Sequence, residues 1–378
     1  MQITMKREVL FRAIQRVQGV VERRNTMPIL SHALIEAKGA EVTIFATDLE
    51  IGLRGRYEAQ VSEPGHITVS ARKLYEIVRE LSHEEIRLVS ADHKSVGLEA
   101  GKSRFQMMTL PPEEFPTMPA VEGALELNID GAAMGELIRK TVFAVGENDA
   151  RYVLNGTLLT TASVNGKQML RLVGTDGHRL ALADQEVTGS GGASKAKGLG
   201  EINAIIPKKA LLEIRRLLEE KADGPLVLGI AKNQCTVQHE GVVLVARLME
   251  GTYPNYQQVI PKGATKSLIV NRQALEGALR RVALLAREKT NAVKWDLSSG
   301  RLVLTASNPD LGEAQEELAV TYSGEGVTTG FNARYLLDAL SVVNTEEMVM
   351  DLKDALSPCV IREHNGGSSL CVVMPMRI

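Results

Sequence analysis

Asp176 and His178 are the residues whose spacing most suggests acid–base catalysis. A histidine beside a carboxylate acts as a general base only where a nucleophile lies within its reach. No nucleophile motif, phosphate-binding loop or metal cluster accompanies this pair in the sequence. The sequence therefore favours a non-catalytic protein. An enzyme that uses Asp176 and His178, such as a hydrolase, is the competing hypothesis.

The three cysteines predict no metal site. Cys235, Cys359 and Cys371 have an odd count and no metal-ligand spacing. Cys235 and Cys371 lie in apolar, strand-like runs, where a thiol is usually buried and inert. No window approaches the apolar length that crosses a bilayer, and the N-terminus has no secretory core. We predict a reduced, cytoplasmic protein without metal or cofactor and without a membrane partner.

Basic residues recur on helix-like segments of a chain whose formal net charge is −2. These segments carry a net charge of +8, which leaves −10 for the remainder: 6–17, 70–81, 130–142, 207–221, 271–282 and 332–340. If all of them face one side, they form a positive surface that holds phosphates and reads no bases. Aromatic residues do not interleave with the bases, which favours duplex over single-stranded nucleic acid. The alternative is that solvated helices carry lysine and arginine without a ligand.

The elements that position these residues are written three times along the chain. One apolar stripe has the helical offsets i, i+1, i+4, i+5 and i+8 in each copy. Its members are Val9, Leu10, Ala13, Ile14 and Val17, then Ala133, Met134, Leu137, Ile138 and Thr141, then Ala274, Leu275, Ala278, Leu279 and Val282. A second helix starts near Ser70, Pro207 and Asn332 in the three copies. Such a repeat indicates one module used three times.

Strand-like runs follow the helices of each copy. The runs at 41–48, 169–176 and 301–308 end on turn signals, and a later set lies at 86–90, 226–231 and 348–352. Strands in succession between single helices favour an α+β fold, with two helices per module packed on antiparallel sheets. Proline-rich linkers at 111–119 and 254–261 separate the modules, which we place at residues 1–122, 123–262 and 263–378. The glycine-rich run 189–200 is predicted to be a loop.

The chain resembles the bacterial DNA polymerase III β subunit family, the replicative sliding clamps, from end to end. The resemblance is carried by MPILSHALIEA (27–37), ATDLEIGLR (46–54), RYVLNG (151–156), TDGHRLAL (175–182), YPNYQQVIP (253–261) and VVMPMRI (372–378). It implies a head-to-tail homodimer in which six DNA-clamp modules close a ring, with helices lining the hole. It also implies a processivity subunit without catalysis, which encircles duplex DNA and tethers the replicative polymerase. A monomeric peptide-binding adaptor that does not encircle DNA is the alternative.

The resemblance further implies a groove between modules two and three. This groove would take a short peptide from the polymerase catalytic subunit, the clamp loader and other partners. The matching positions are Leu154, Thr175, Gly177, His178, Arg179, Leu180, Pro254, Val259, Val372, Met374, Pro375, Met376 and Arg377. Gln257 and Gln258 stand where the family often has arginine, which predicts a weaker electrostatic contact to the peptide. The alternative is that these residues are ordinary core with a frayed C-terminus.

Two further sets of residues complete the expected clamp. Arg24 resembles a family residue that contacts the duplex, and Arg23 lies beside it. The helix argument adds Arg7, Arg72, Lys73, Arg139, Lys140, Lys208, Lys209, Arg215, Arg280 and Arg281, of which roughly half are expected to contact DNA, because surface ion pairs are common. For the dimer interface, a basic, apolar edge strand would meet an acidic one. These edges hold Lys102, Arg104, Phe105 and Met107 on one side and Leu284, Leu285, Glu313, Glu316 and Glu317 on the other; the alternative is that each strand is capped within its own module.

Overall fold

The computed structural model describes residues 1–21, 27–90, 94–186, 202–220 and 223–377 of the chain. Its six α-helices all overlap the segments predicted to be helical. They are α1 (Arg7–Gln18), α2 (Ala71–Glu80), α3 (Gly131–Arg139), α4 (Lys208–Glu220), α5 (Arg272–Val282) and α6 (Ala333–Leu340). The predicted loop 189–200 and the predicted DNA contacts Arg23 and Arg24 lie outside the described residues.

The apolar stripe is buried in all three copies at four of its five offsets. Its buried members are Leu10, Ala13, Ile14, Val17, Met134, Leu137, Ile138, Thr141, Leu275, Ala278, Leu279 and Val282. The first offset was predicted wrongly for Ala274, which is exposed, and Val9 and Ala133 are partly exposed. That offset lies at the edge of the stripe, where the helix turns towards solvent.

The second helices begin where the sequence pattern predicted. Asn332 caps α6, because its side-chain oxygen accepts hydrogen bonds from the backbone N–H groups of Arg334 and Tyr335. Leu74 of α2, Leu211 of α4 and Leu336 of α6, four residues after these starts, are all buried. The capped end and the buried leucine together fix the direction and rotation of α6.

All six predicted strand runs are strands in the structure. The strands are β1 (Gln2–Lys6), β2 (His32–Lys38), β3 (Glu41–Thr47), β4 (Ile51–Glu58), β5 (Gln60–Glu63), β6 (Gly65–Ser70), β7 (Glu85–Val89), β8 (Ser95–Ala100), β9 (Ser103–Met108), β10 (Leu125–Asp130), β11 (Gly156–Val164), β12 (Lys167–Thr175), β13 (Arg179–Glu186), β14 (Asn203–Pro207), β15 (Pro225–Ile230), β16 (Gln234–His239), β17 (Val242–Arg247), β18 (Lys266–Asn271), β19 (Ala292–Ser298), β20 (Arg301–Asn308), β21 (Gly312–Ala319), β22 (Val327–Asn332), β23 (Glu347–Leu352), β24 (Cys359–Glu363) and β25 (Ser369–Val373).

The chain packs into two compact units, each built from two segments. Unit 1 comprises Met1–Gly135 and Lys209–Leu248. It contains a five-stranded sheet of order β5-β1-β7-β8-β9 and an eight-stranded sheet of order β10-β15-β16-β17-β4-β3-β2-β6. In the larger sheet, β17 pairs with β4 antiparallel, so strands distant in sequence share one ladder.

Unit 2 comprises Glu136–Lys208 and Met249–Ile378. It contains an eight-stranded sheet of order β14-β11-β12-β13-β25-β24-β23-β18 and a four-stranded sheet of order β21-β20-β19-β22. Its core holds Trp295, the only tryptophan of the chain, packed edge-to-face on Phe331 at 5.4 Å between ring centroids. The antiparallel ladders and the packed helices confirm the predicted α+β class.

The three-module division remains a prediction, because the compact units follow packing and not the sequence repeat. The three cysteines are buried in the structure, and burial raises the pKa of the Cys235 and Cys371 thiols to about 12. In the described ranges, no helix is long and apolar enough to cross a membrane. The same ranges contain no group of three histidine, cysteine or acidic side chains that could hold a metal ion.

Candidate functional site

The turn between β12 and β13 forms the centre of the predicted groove. The Thr175 hydroxyl donates to Arg179 O at 2.6 Å and accepts from Gly177 N at 3.1 Å. Asp176 Oδ1 accepts from the backbone N–H groups of His178 and Arg179 at 2.9 and 3.0 Å. Gly177 has a φ of +83°, and a Cβ at this position would lie 2.6 Å from Arg151 Nη1. The side chains of the turn thus hold its backbone in one conformation.

An apolar bed lies beside this turn. Leu180 and Val372 are direct partners in the ladder of β13 and β25, and both belong to a buried cluster with Tyr253 and Tyr256. Beyond β25, Met374 N donates to His178 O at 2.9 Å, so the C-terminal tail runs along the turn. The turn, the bed and the tail are therefore neighbours within unit 2.

All residues of the predicted groove lie in unit 2, at different depths. Leu154, Thr175, Leu180 and Val372 are buried; Arg179, Pro375 and Met376 are half-buried; Gly177, His178, Pro254, Val259, Met374 and Arg377 are exposed. The buried members can form a floor, and the exposed ones can contact a ligand. Their role in binding remains a prediction.

Arg179 links the turn to helix α6. Its guanidinium lies 4.6 Å from the ring centroid of Tyr335 and 5.5 Å from that of Phe143. It also pairs with the carboxylates of Asp176 and Asp338. The Asp176 carboxylate therefore bonds to backbone N–H groups and to a guanidinium. This arrangement gives no support to an acid–base pair between Asp176 and the His178 ring.

Sequence reasoning missed three residues beside this site. Tyr253 donates from its hydroxyl to Val173 O at 3.1 Å, and Tyr256 lies in the apolar bed. Both tyrosines belong to the run YPNYQQVIP, so their spacing could have identified them. Leu356 is an exposed leucine in the loop after β23, and no sequence pattern marks it. Its neighbour Ala355 O accepts from Thr329 Oγ1, one residue before the Gly330 that bonds the tail.

Ion pairs engage almost all of the predicted DNA-binding residues that the structure describes. The pairs are Arg72 and Lys73 with Glu76, Arg139 with Glu136, Lys140 with Glu363, Lys208 with Glu147, Lys209 with Asp48, Arg215 with Glu219, Arg280 with Glu276, and Arg281 with Glu316. Arg7 makes no ion pair with the described residues. Hydrogen bonds from Lys73 and Arg72 lower the pKa of Glu76. Exposed pairs of this kind are weak, so their bases can still exchange to a phosphate.

Lys140 is a correction to the predicted DNA contacts. Its ammonium is 3.2 Å from Glu363 Oε1, and the two side chains are 7% and 11% exposed. A buried ammonium in an ion pair cannot reach a phosphate without losing that pair. Lys209 also serves the fold: its Nζ pairs with the buried carboxylate of Asp48 and donates to Val20 O. Lys140 therefore leaves the set of DNA contacts, and Lys209 is a weaker candidate than its sequence position suggested.

The two strands predicted to form the dimer interface are both sheet edges. Strand β9 ends the five-stranded sheet of unit 1, and β21 ends the four-stranded sheet of unit 2. Lys102, just before β9, is exposed, as are Arg104 and Phe105 on the strand, while Met107 is half-buried. Leu284 is 77% exposed, and its turn Ala283–Leu285 packs against β21. Exposed apolar side chains beside an unpaired edge are typical of a protein interface.

The acidic residues of β21 already have partners within the chain. Glu316 pairs with Arg281, which lowers the pKa of Glu316, and Glu317 pairs with Arg301. Leu285 is half-buried, and Glu313 is exposed. The structure therefore supports the edge position of these residues, while their contact with a second copy remains a prediction.

Comparison with known proteins gives one consistent result over the whole chain. Family models match residues 1–119, 128–255 and 257–377, as the N-terminal, central and C-terminal domains of the DNA polymerase III beta subunit. A beta sliding clamp of Pseudomonas aeruginosa is 38% identical over 379 residues, with 100% of both chains covered. The solved DNA polymerase III subunit beta of Pseudomonas aeruginosa has a TM-score of 0.90 at 37% identity, and covers 100% of both chains. A sliding clamp from Bartonella birtlesii, solved bound to griselimycin, has a TM-score of 0.93 at 38% identity and equal coverage.

Proposed function

The chain belongs to the DNA polymerase III beta subunit family, and from that premise we propose that two copies close head to tail into a ring around duplex DNA. The chain is a DNA sliding clamp, like the relatives that match it from end to end. The alternative of a monomeric adaptor has no support among those relatives. Tethering of a polymerase, the peptide groove and the geometry of ring closure are the finer parts of the proposal.

Two equivalent strand ladders carry the proposal of ring closure. In unit 1, β17 pairs with β4, and Arg247 N donates to Glu50 O at 2.9 Å. In unit 2, β25 pairs with β13, and Met374 N donates to His178 O at the same distance. By order within the threefold repeat, β9 corresponds to β17 and β25, and β21 corresponds to β4 and β13. Unlike their counterparts, β9 and β21 both lie at the edge of a sheet. A second copy can supply the missing partner, and head-to-tail pairing of this kind closes a ring.

The two ladders also give the register of the contact. Leu53 lies opposite Leu244 in unit 1, and Ala181 lies opposite Cys371 in unit 2. The equivalent positions are Ala314 of β21 and Phe105 of β9 in a second copy. Phe105 would then lie over the turn that carries Leu284 and Leu285, and Met108 N would donate to Leu311 O.

The same register places charges of opposite sign together. Arg104 would lie opposite Gln315, with Glu313 and Glu317 as its diagonal neighbours on the same face of the ladder. Lys102 lies just before β9, outside the paired strand. Because Glu317 now pairs with Arg301, closure of the ring would exchange or share this partner. Apolar contact on one face and ion pairs on the other support a specific antiparallel pairing.

The helices supply the contact with DNA. Arg72, Arg215 and Arg280 each pair with a partly or fully exposed carboxylate on their own helix, and such pairs can yield to phosphates at little cost. Phosphate contacts carry no sequence information, which is the property that a sliding ring needs. We propose that DNA is retained by encirclement, so that each contact can remain weak.

The groove in unit 2 supplies the contact with partner proteins. Its apolar bed, the exposed Val259 and Met374, and the turn at Gly177 offer a surface for a short apolar peptide. We propose that the replicative polymerase, the clamp loader and other proteins dock there. The chain itself acts without catalysis, as a processivity subunit in the cytoplasm.

Retention on circular DNA tests the proposed function. The protein is loaded onto nicked circular DNA by a clamp loader, washed at high salt, and the circle is then cut. An encircling clamp stays through the wash and leaves when the cut provides ends. A protein that only binds phosphates dissociates in the salt wash, whether or not ends are present. Loss of the protein before the cut would reject the ring.

A further inference from the structure

A buried ion pair in unit 2 lies on the same face of the sheet as the apolar bed. Arg171 of β12 and Asp184 of β13 are direct partners in the ladder. The Arg171 Nε donates to Asp184 Oδ1 at 2.6 Å, and Nη2 donates to Oδ2 at 2.7 Å. Val173 follows Arg171 by two residues, so both side chains lie on one face of the sheet, and Val173 belongs to the bed. The two charged side chains, only 15% and 9% exposed, are therefore part of an apolar surface.

Stability alone gives no reason for charges at these two positions. Removing two charges from water is costly, and the attraction between them often does no more than offset that cost. Replacement of a buried ion pair by apolar side chains of similar volume is therefore often neutral or stabilising. The pair makes one further contact, because Arg171 Nη1 donates to the Tyr256 hydroxyl at 3.4 Å. Apolar side chains could not make this contact.

Tyr256 begins the short helical turn Tyr256–Gln258, which we call the linker turn. Its side chain is buried in the apolar bed, whereas Gln257, Gln258 and Val259 are exposed. The linker turn is closed by Tyr256 itself, since Val259 N donates to Tyr256 O at 3.1 Å. The position of Tyr256 therefore determines where Val259 lies in the groove.

We propose that Arg171 and Asp184 are positioning residues for the peptide groove, and that they act through Tyr256 on the linker turn that carries Val259. This inference rests on the proposed function, because it assumes that a partner peptide binds in the groove. Both charged side chains are buried, so their effect on the peptide is indirect. A groove wall that is ordered before binding spares the peptide the entropic cost of ordering it, which raises affinity.

Removal of both charges separates a positioning role from a stabilising one. Binding of a labelled, polymerase-derived peptide to the full chain is measured by anisotropy, and stability by Trp295 fluorescence during urea unfolding. Arg171→Met combined with Asp184→Leu should weaken peptide binding about 3- to 10-fold, because binding must then order the linker turn. Tyr256→Phe, which removes only the hydroxyl, should weaken it by the same factor.

The triple variant, with all three substitutions, provides the readout that a merely structural role would not give. It should bind the peptide as the Tyr256→Phe chain does, because the pair acts through that hydroxyl. Its urea midpoint should be unchanged or higher than that of the wild type. A fluorophore at Gln257→Cys reports the order of the linker turn, since the three native thiols are buried. Its nanosecond anisotropy should show a larger mobile fraction once the pair is removed.

Lys167→Gln with Glu186→Gln is the matched control, because this ion pair joins the same two strands but is 62% and 43% exposed. It should leave the peptide Kd and the mobility of the linker turn unchanged. Wild-type affinity in the Arg171, Asp184 and Tyr256 variants would reject the positioning role, and a lowered midpoint of the triple variant would assign the pair to stability instead. If Met374→Ala weakens the peptide while those variants do not, the groove stands and only the positioning role fails. If the wild type does not bind the peptide, the groove itself fails.

Discussion

Replacing Lys140 by methionine tests whether this residue serves the fold or the DNA. The substitution keeps most of the apolar stem and removes the ammonium. In the structure, that ammonium lies 3.2 Å from Glu363 Oε1 and 3.6 Å from Glu136 Oε1. Without it, Glu363 keeps the backbone N–H of Asn344 as its hydrogen-bond donor at 3.2 Å. A buried carboxylate would thus lose its compensating charge.

The expected cost follows from the burial of both partners. Breaking a buried ion pair by removing one member costs about 3–5 kcal/mol, because the remaining charge stays desolvated. Glu136 remains near and ionised, which works against the remaining Glu363 carboxylate. The double variant Lys140→Met with Glu363→Gln removes both charges and should recover a large part of this loss. Together with the single variant Glu363→Gln, these two variants complete a double-mutant cycle that measures the coupling.

Trp295 makes the measurement specific to unit 2. It is the only tryptophan, it is buried in the core of unit 2, and Lys140 belongs to the same unit. Its fluorescence is followed during urea unfolding at fixed protein concentration, so that dimerisation does not differ between samples. With a denaturant slope of roughly 2–3 kcal/mol per molar, the expected loss moves the midpoint down by roughly 1–2 M.

The opposite reading of Lys140 predicts a different pair of results. A solvent-facing lysine that contacts DNA would leave the midpoint nearly unchanged, since surface substitutions usually lie within about 0.5 kcal/mol. It would also lower the salt slope of DNA binding by about 0.9. An unchanged midpoint together with a reduced slope would therefore refute the assignment of Lys140 to the fold.

Three further outcomes are expected. A chain with Phe105→Cys and Ala314→Cys should oxidise to a covalent dimer on a non-reducing gel. The control pair Phe105→Cys with Gln315→Cys should not, because those two side chains lie on opposite faces of the ladder. Equal cross-linking of both pairs would reject the register. Met374→Ala should weaken the binding of a polymerase-derived peptide roughly 5- to 30-fold in anisotropy titrations, because about 1–2 kcal/mol of apolar contact is lost. An unaltered Kd would remove Met374 from the groove. Hydrogen bonding by Arg139 lowers the pKa of Glu136 from 4.5 to about 2. The contribution of Glu136 to stability is therefore present above pH 4.5 and is lost as the pH falls towards 2. A Glu136→Gln chain whose urea midpoint falls in acid as much as that of the wild type would contradict this.

Local sequence patterns predicted the helices and strands, because the geometry of each element determines which of its side chains share the buried face. In α1, the offsets of Leu10, Ile14 and Val17 place three side chains on one face, and that face is buried. The runs that became β3, β12 and β20 are short, rich in β-formers and end on turn residues. The threefold repeat strengthened both readings, because three independent stretches had to satisfy one pattern.

The roles of single charges could not be predicted in the same way. Lys140 and Glu363 are 223 residues apart, and Lys209 and Asp48 are 161 apart. A helical pattern shows that a lysine lies away from the apolar stripe, but it does not show which distant carboxylate the fold brings to it. Counting basic residues on helices therefore included Lys140, which the fold holds in a buried ion pair.

The turn between β12 and β13 shows that a motif can determine a backbone conformation without determining a function. Thr47 and Asp48 form the same turn in unit 1 as Thr175 and Asp176 do in unit 2. The Thr47 hydroxyl donates to Ile51 O at 2.9 Å, and Asp48 Oδ1 accepts from Glu50 N and Ile51 N. Leu49 takes the left-handed conformation of Gly177, with a φ of +76°. The Thr-Asp pair is therefore sufficient to predict the turn in both places.

The surroundings of the two turns differ. Asp48 is buried against Lys209, whereas Asp176 pairs with Arg179. Beside the turn of unit 1, Phe45 packs edge-to-face on Phe115 at 5.5 Å between ring centroids. The corresponding position on β12 is the smaller Val173, which is buried in the cluster that contains Tyr253 and Tyr256. The same turn thus has different apolar neighbours in the two units, so the turn motif alone does not predict a ligand groove.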